Sequence, residues 1–160
     1  MVAKSITVEI DSPVEAKRFW AAIVKDYDLL PRQMPGVCSG VTLVKGDGGV
    51  GTIIQIDYTP VNKDFSYVKE RVDEVDEGNF VYSFSYVEGG EVGTKWASAK
   101  FKMQLTPKTE GGCVLKHTCE YDTLPGIPLD EAKLEEMERS AAGLLKSIEA
   151  YLVSNPTVYC

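Results

Sequence analysis

Residues 95–122, KWASAKFKMQLTPKTEGGCVLKHTCEYD, alternate apolar and polar side chains twice, once on each side of a turn. In the first half Ala99, Phe101, Met103 and Leu105 are separated by Lys100, Lys102 and Gln104. In the second, Cys113, Leu115, His117, Cys119 and Tyr121 alternate with Val114, Lys116, Thr118 and Glu120. Side chains of a strand point to opposite faces in turn, so a period of two predicts paired strands with one face turned inward. The TEGG between them is rich in residues that tolerate the positive φ of a turn.

The same pattern extends upstream. Strands are expected over 37–44, 51–59, 65–75 and 79–87, punctuated by GDGG, DEGN and EGGEVG, with a first strand over 3–11. Parity assigns Ile54, Ile56 and Tyr58 to the inner face, and likewise Phe80, Tyr82, Phe84 and Tyr86. Residues 65–75 begin with Phe65 and Tyr67 inward and then lose clean parity near Lys69-Glu70, which predicts a bulge. Between the first two strands, Ser12-Pro13-Val14-Glu15 combines a capping serine, a proline for the first helical position and a glutamate closing a capping box. That helix should run to about Lys25, with a second from Asp28 to Met34-Pro35-Gly36.

After Pro125-Gly126-Ile127-Pro128, Asp130 is placed to cap a long helix ending near Ser154, before Asn155-Pro156. Leu134, Met137, Ala141, Leu144, Leu145, Ile148 and Leu152 keep helical spacing along one stripe. Strand, two short helices, six strands and a long helix make one α+β domain over 1–160, in which the last helix must cover the apolar face of the sheet. Five tyrosines, the only histidine and two thiols fall on that face. Each buried phenol or imidazole needs a partner, at a cost of about 1–3 kcal/mol if it has none. Meanwhile Ser140-Ala141-Ala142-Gly143 puts small residues at the middle of the helix. Large rings on one wall and missing volume on the other predict an internal pocket with polar tips; the competing arrangement is a filled core whose hydroxyls reach the surface.

Composition narrows the partners. Acidic residues outnumber basic ones, 24 to 17, for a formal net charge of −7, so a dedicated nucleic-acid surface is not expected. The four cysteines show no metal-like spacing, and free thiols in a reducing compartment are expected, with no cofactor and no metal. MVAKSITVEI has no apolar stretch of signal-peptide length and nothing downstream is long enough to span a bilayer. A cytosolic monomer small enough to enter the nucleus is the expectation.

Lys45–Thr52 (KGDGGVGT), Phe65–Asp76 (FSYVKERVDEVD), Val87-Glu-Gly-Gly90 and Ile148-Glu-Ala-Tyr-Leu152 before Asn155-Pro156 resemble the plant pathogenesis-related class 10 family, which shares the fold of the major birch pollen allergen. The resemblance spans essentially the whole chain. It implies a helix-grip fold: a seven-stranded curved antiparallel sheet around a long C-terminal helix, two short helices in a V, and an internal hydrophobic cavity. It also implies an intracellular defence or stress role and a hydrophobic ligand such as a cytokinin, another phytohormone or a flavonoid. Pocket positions of the family carry over to Cys38, Ile54, Ile56, Tyr58, Phe65, Tyr67 and Glu70. On later strands they fall on Tyr82, Phe84, Phe101, Met103, His117 and Cys119, and on the helix on Met137, Ser140 and Leu144. The gate and latch of the superfamily's abscisic acid receptors are not matched, since Glu88-Gly-Gly-Glu91 stands at the gate. Some relatives carry out condensations or isomerisations with a pocket lysine, acid and tyrosine. Here Glu70, Tyr67 and His117 are the candidates, without an inward lysine to accompany them. A ribonuclease activity attributed to the family would involve Glu149, Tyr151 and the glycine loop.

Two motifs have bland readings. Gly46, Gly48 and Gly51 satisfy a dinucleotide fingerprint, but with Gly49 they lead into a strand instead of a helix, so a structural hairpin loop is expected, with anion binding by its amides as a minor alternative. His117 and Cys119 stand two apart on one strand face, about 6–7 Å at their bases, so pocket lining is favoured over a dyad.

Overall fold

The computed structural model describes residues 3–160, and Met1 and Val2 fall outside it. The chain runs through β1 (Ala3–Ser12), α1 (Ala16–Trp20), α2 (Leu29–Gln33), β2 (Cys38–Lys45), β3 (Ile53–Tyr58) and β4 (Tyr67–Asp76). It continues with β5 (Val81–Gly89), β6 (Trp96–Pro107), β7 (Cys113–Thr123) and α3 (Glu131–Ser154). The strands form one antiparallel seven-stranded sheet in the order β1-β7-β6-β5-β4-β3-β2, a curved surface gripping the long helix. Every expected strand is present within about two residues at its ends.

The start of α1 differs from expectation. Ser12 Oγ accepts from Val14 N–H at 3.1 Å, and Glu15 Oε1 accepts from the distant Gly112 N–H at 3.1 Å, so neither serves a capping box. Glu15 stays extended (φ −61°, ψ 140°) and the first helical residue is Ala16. The glutamate instead pins the β6–β7 turn to this junction. The approach is so close that a Cβ on Gly112 would meet the Ser12 carbonyl oxygen at 2.2 Å. After Trp20 the helix loosens into a π-wound segment over Ala21–Lys25, where Asp26 N–H reaches the Ala21 carbonyl.

Asp130 caps α3 as the sequence requires, its Oδ1 accepting from Lys133 N–H at 3.1 Å. Its 24 residues span about 36 Å. At the far end the Arg18 guanidinium donates to the carbonyls of Leu152, Asn155 and Val158 at 2.9, 2.7 and 3.0 Å. This ties α1 to the helix C-terminus, where backbone acceptors are otherwise orphaned. Asp26 receives Arg32 and the Tyr159 hydroxyl, fastening the tail to α2.

The core falls into two clusters. One gathers Phe19, Trp20, Leu105, Leu115, Leu145, Ile148 and Leu152; the other joins Ile6, Trp96, Phe101, Cys119, Tyr121 and Leu134. Phe84 and Tyr86 pack against both. Along α3 no side chain is fully buried between Leu134 of one cluster and Leu145 of the other, and Ser140-Ala141-Ala142-Gly143 lies in that interval. Ser140 and Gly143 are exposed, because successive helical residues turn by about 100° and these two fall beside the stripe that meets the sheet.

Candidate functional site

The inner residues form continuous rows across the sheet. Val72, Phe84, Phe101, Cys119 and Ile6 are successive cross-strand partners, as are Tyr82, Met103, His117 and Val8. A third row runs Leu43, Ile54, Glu70 and Tyr86. Rings cover the centre: Phe101 lies 4.8 Å from Phe84 and 4.6 Å from Tyr86 between centroids, and Tyr82 lies 5.8 Å from Phe84.

Glu70 sits in this aromatic surround with 8% of its surface accessible. No hydrogen bond or ion pair reaches its carboxyl from any described residue, yet neither oxygen is sealed from a water-sized probe. Loss of hydration pushes its pKa up to about 8, so it is largely protonated at neutral pH. Burial also raises Tyr58, Tyr82 and Tyr86, and the nearby Glu70 charge adds to each. Tyr86 is strongly desolvated but only half-buried by surface. A ring that deep keeps accessible surface only where it borders unfilled space. Tyr58 and His117 combine depth and residual surface in the same way.

Two shallow depressions lie on the outside. A groove of about 400 Å³ runs between β1 and α3, lined by Thr7, Val8, Glu9, Glu135, Glu138, Arg139 and Ala142. Val8, on its floor, is the cross-strand partner of His117. A recess of about 80 Å³ lies between α2 and α3, beside Leu30, Ile148 and Tyr151.

Of the expected pocket residues, Ile54, Ile56, Tyr58, Glu70, Tyr82, Phe84, Phe101, Met103, His117 and Cys119 share the inner face. Cys38 is buried at the β2 end beside Tyr58, its Sγ donating to the Gly40 carbonyl at 3.5 Å. Met137 and Leu144 are half-buried against the second and first clusters. Phe65 meets Tyr58 edge-on at 5.5 Å from the loop before β4. Tyr67 does not point inward: its hydroxyl donates to Glu88 Oε2 at 2.8 Å on the exposed side. The inner residues of β4 are Val68, Glu70 and Val72, none of which the parity assignment placed inward; Glu70 was reached only through the family resemblance. The irregularity foreseen there is real, since pairing with β5 slips between Lys69 and Glu70 and again between Val72 and Glu74. Ser140 is exposed and does not face the rings.

His117 and Cys119 do lean together, with Nδ1 and Sγ 3.5 Å apart. Among the described residues no lysine is buried, and Lys69, Lys95, Lys108 and Lys133, the least exposed, pair with Glu88, Glu91, Asp11 and Asp64. The glycine loop joins β2 to β3, and three of its glycine amides are engaged within the fold. Gly48 N–H donates to Thr52 Oγ1, Gly49 N–H to Asp47 Oδ1 and Gly51 N–H to the Val72 carbonyl, at 2.9, 3.2 and 2.8 Å. Gly46, Gly48 and Gly51 all have positive φ. This loop is a hairpin scaffold, not an open anion cradle. Glu149 and Tyr151 lie toward the C-terminal end of α3: Tyr151 borders the small recess, and Glu149 Oε2 is buried without a partner among the described residues. No described helix is long and apolar enough to cross a membrane.

A family model described as the pathogenesis-related protein Bet v 1 family matches residues 1–155. The chain is similar to pathogenesis-related protein 1 of Asparagus officinalis, 38% identical over 160 residues and 99% of both chains. It is likewise similar to the major pollen allergen Aln g 1 of Alnus glutinosa, 38% identical over 152 residues and 94% of each. The crystal structure of Ara h 8.0201 superposes with a TM-score of 0.83 at 26% identity, covering 96% of this chain and 99% of that one.

Proposed function

The chain belongs to the pathogenesis-related protein Bet v 1 family, and we propose that it binds an amphipathic small molecule in the space between its two core clusters. The apolar body of the guest lies on Phe84, Phe101 and Met103, under α3. Its polar end meets Glu70, with Tyr58, Tyr82 and Tyr86 around it. The observation that carries this reading is the Glu70 carboxyl, deep in the molecule, open to a small probe and without a protein partner. A lone buried acid is costly unless something else satisfies it. A guest with a hydrogen-bonding group does so, and cytokinins and flavonoids carry such groups on flat apolar frames. All four cysteines are free, which suits the reducing cytosol of a stressed or infected plant cell, where we place a monomeric protein.

Titration with an environment-sensitive dye should reveal one saturable site that cytokinins or flavonoids displace. Glu70→Gln, which removes the acid but keeps the shape, should weaken a hydrogen-bonding guest by about 10-fold and leave the dye unaffected. A native protein that gives the dye no saturable site overturns the reading.

A further inference from the structure

We propose that Cys119, with His117 as its base, captures electrophilic guests covalently, the target class being α,β-unsaturated carbonyl compounds. The inference rests on the reading that the interior admits a guest, and it names a chemical class for that guest. Strand geometry alone separates the two side chains by about 6–7 Å at their bases, but they close on each other until Sγ and Nδ1 are 3.5 Å apart. That is the contact a base needs with the proton it removes.

The pair is not isolated on its strand. Cys119 is the cross-strand partner of Phe101, whose ring lies 4.6 Å from Tyr86 and 6.2 Å from His117 between centroids. A flat conjugated guest on Phe101 therefore lies against both members. Tyr86 is the cross-strand partner of Glu70, and its ring lies 4.6 Å from Phe101, the cross-strand partner of Cys119. Register and ring contacts thus connect the nucleophile to the unpartnered acid through Phe101 and Tyr86, and the acid is the proton donor available to a carbonyl oxygen.

Burial pushes the Cys119 thiol up to about 12, with a hydrogen bond from Tyr121 opposing the rise. A free thiolate is scarce, so unassisted addition is slow. Burial also lowers the pKa of His117, which keeps its imidazole neutral and able to accept a proton. In the reaction the Cys119 sulfur attacks the β-carbon while the thiol proton passes to His117 Nδ1. The new S–C bond forms as the C=C π pair moves towards the carbonyl, giving an enolate. The proton then goes from Nδ1 to the α-carbon. Nothing is oxidised, reduced or expelled, and the adduct weighs the sum of protein and guest.

The test uses trans-chalcone and its saturated analogue dihydrochalcone, in a Cys160→Ser background because Cys160 is the exposed thiol. Intact-mass spectrometry should show one added chalcone, peptide mapping should place it on Cys119, and dihydrochalcone should displace the dye without any mass change. His117→Gln should slow the addition by about 10²-fold when compared at chalcone concentrations that saturate each protein. Cys119→Ser and Cys119→Ala should both remain unmodified. Displacement without an adduct on Cys119, or addition at an unchanged rate in His117→Gln, overturns this inference alone. Failure of both compounds to displace the dye overturns the pocket reading together with it.

Discussion

Glu70 on β4 and Tyr86 on β5 stand directly opposite each other across the sheet, and neither side chain has a hydrogen-bond partner among the described residues. Two adjacent polar groups are thus left without a hydrogen bond inside the aromatic surround. The predictions below start from that pair.

Glu70 makes stability depend on pH. A glutamate in the unfolded chain titrates near 4.5, and in the folded protein Glu70 titrates at about 8. Between those values the unfolded chain has released a proton that the native state retains. Its contribution is therefore full below about pH 4.5 and is lost as pH rises through about 8. From about pH 5 to pH 8 the native protein should lose on the order of 3–4 kcal/mol more than Glu70→Gln. Urea unfolding at the two pH values measures the difference, and parallel profiles would contradict it.

Filling the gap should block the guest without harming the fold. Ala141 is half-buried on α3, within the small-residue stretch between the core clusters. Ala141→Phe should abolish dye binding and leave Tm unchanged or raised. In a solid interior the same change would cost about 1–3 kcal/mol through overpacking. Thermal unfolding alongside dye titration separates the outcomes.

Arg18 holds the end of α3 through three backbone carbonyls. Arg18→Ala should destabilise the protein by about 1.5–3 kcal/mol. Hydrogen exchange should accelerate first in the last turn of α3, and uniform protection there would argue against the clamp.

Gly112 has φ +81°, and a Cβ would press into the Ser12 carbonyl. Gly112→Ala should cost about 1–3 kcal/mol, read from denaturant midpoints. Gly143→Ala is the control: a Cβ there meets nothing within 4 Å, and alanine favours the helix by about 1 kcal/mol.

The family and the strand count were legible because each element carries a local signature. Alternation from Ala99 to Leu105 needs only the period of a strand, and Asp130 caps its own helix three residues on. Tyr67 was misplaced because an aromatic ring suits an inner face, whereas the strand alternates with Val68, Glu70 and Val72 inward and leaves Tyr67 on the opposite parity. Ser140 was misplaced because composition says that a turn of helix is small but not which way each residue points.

Local chemistry in the chain thus settled the order of elements, the alternating faces and the family, since these follow from neighbours a few residues apart. Whether Glu15 caps its helix or reaches Gly112, whether His117 meets Cys119, and whether Glu70 is left without a partner were decided only on folding. Each depends on groups that sequence separation, strand register and side-chain lean bring together, and the buried acid acquires its raised proton affinity from the hydration it loses on folding.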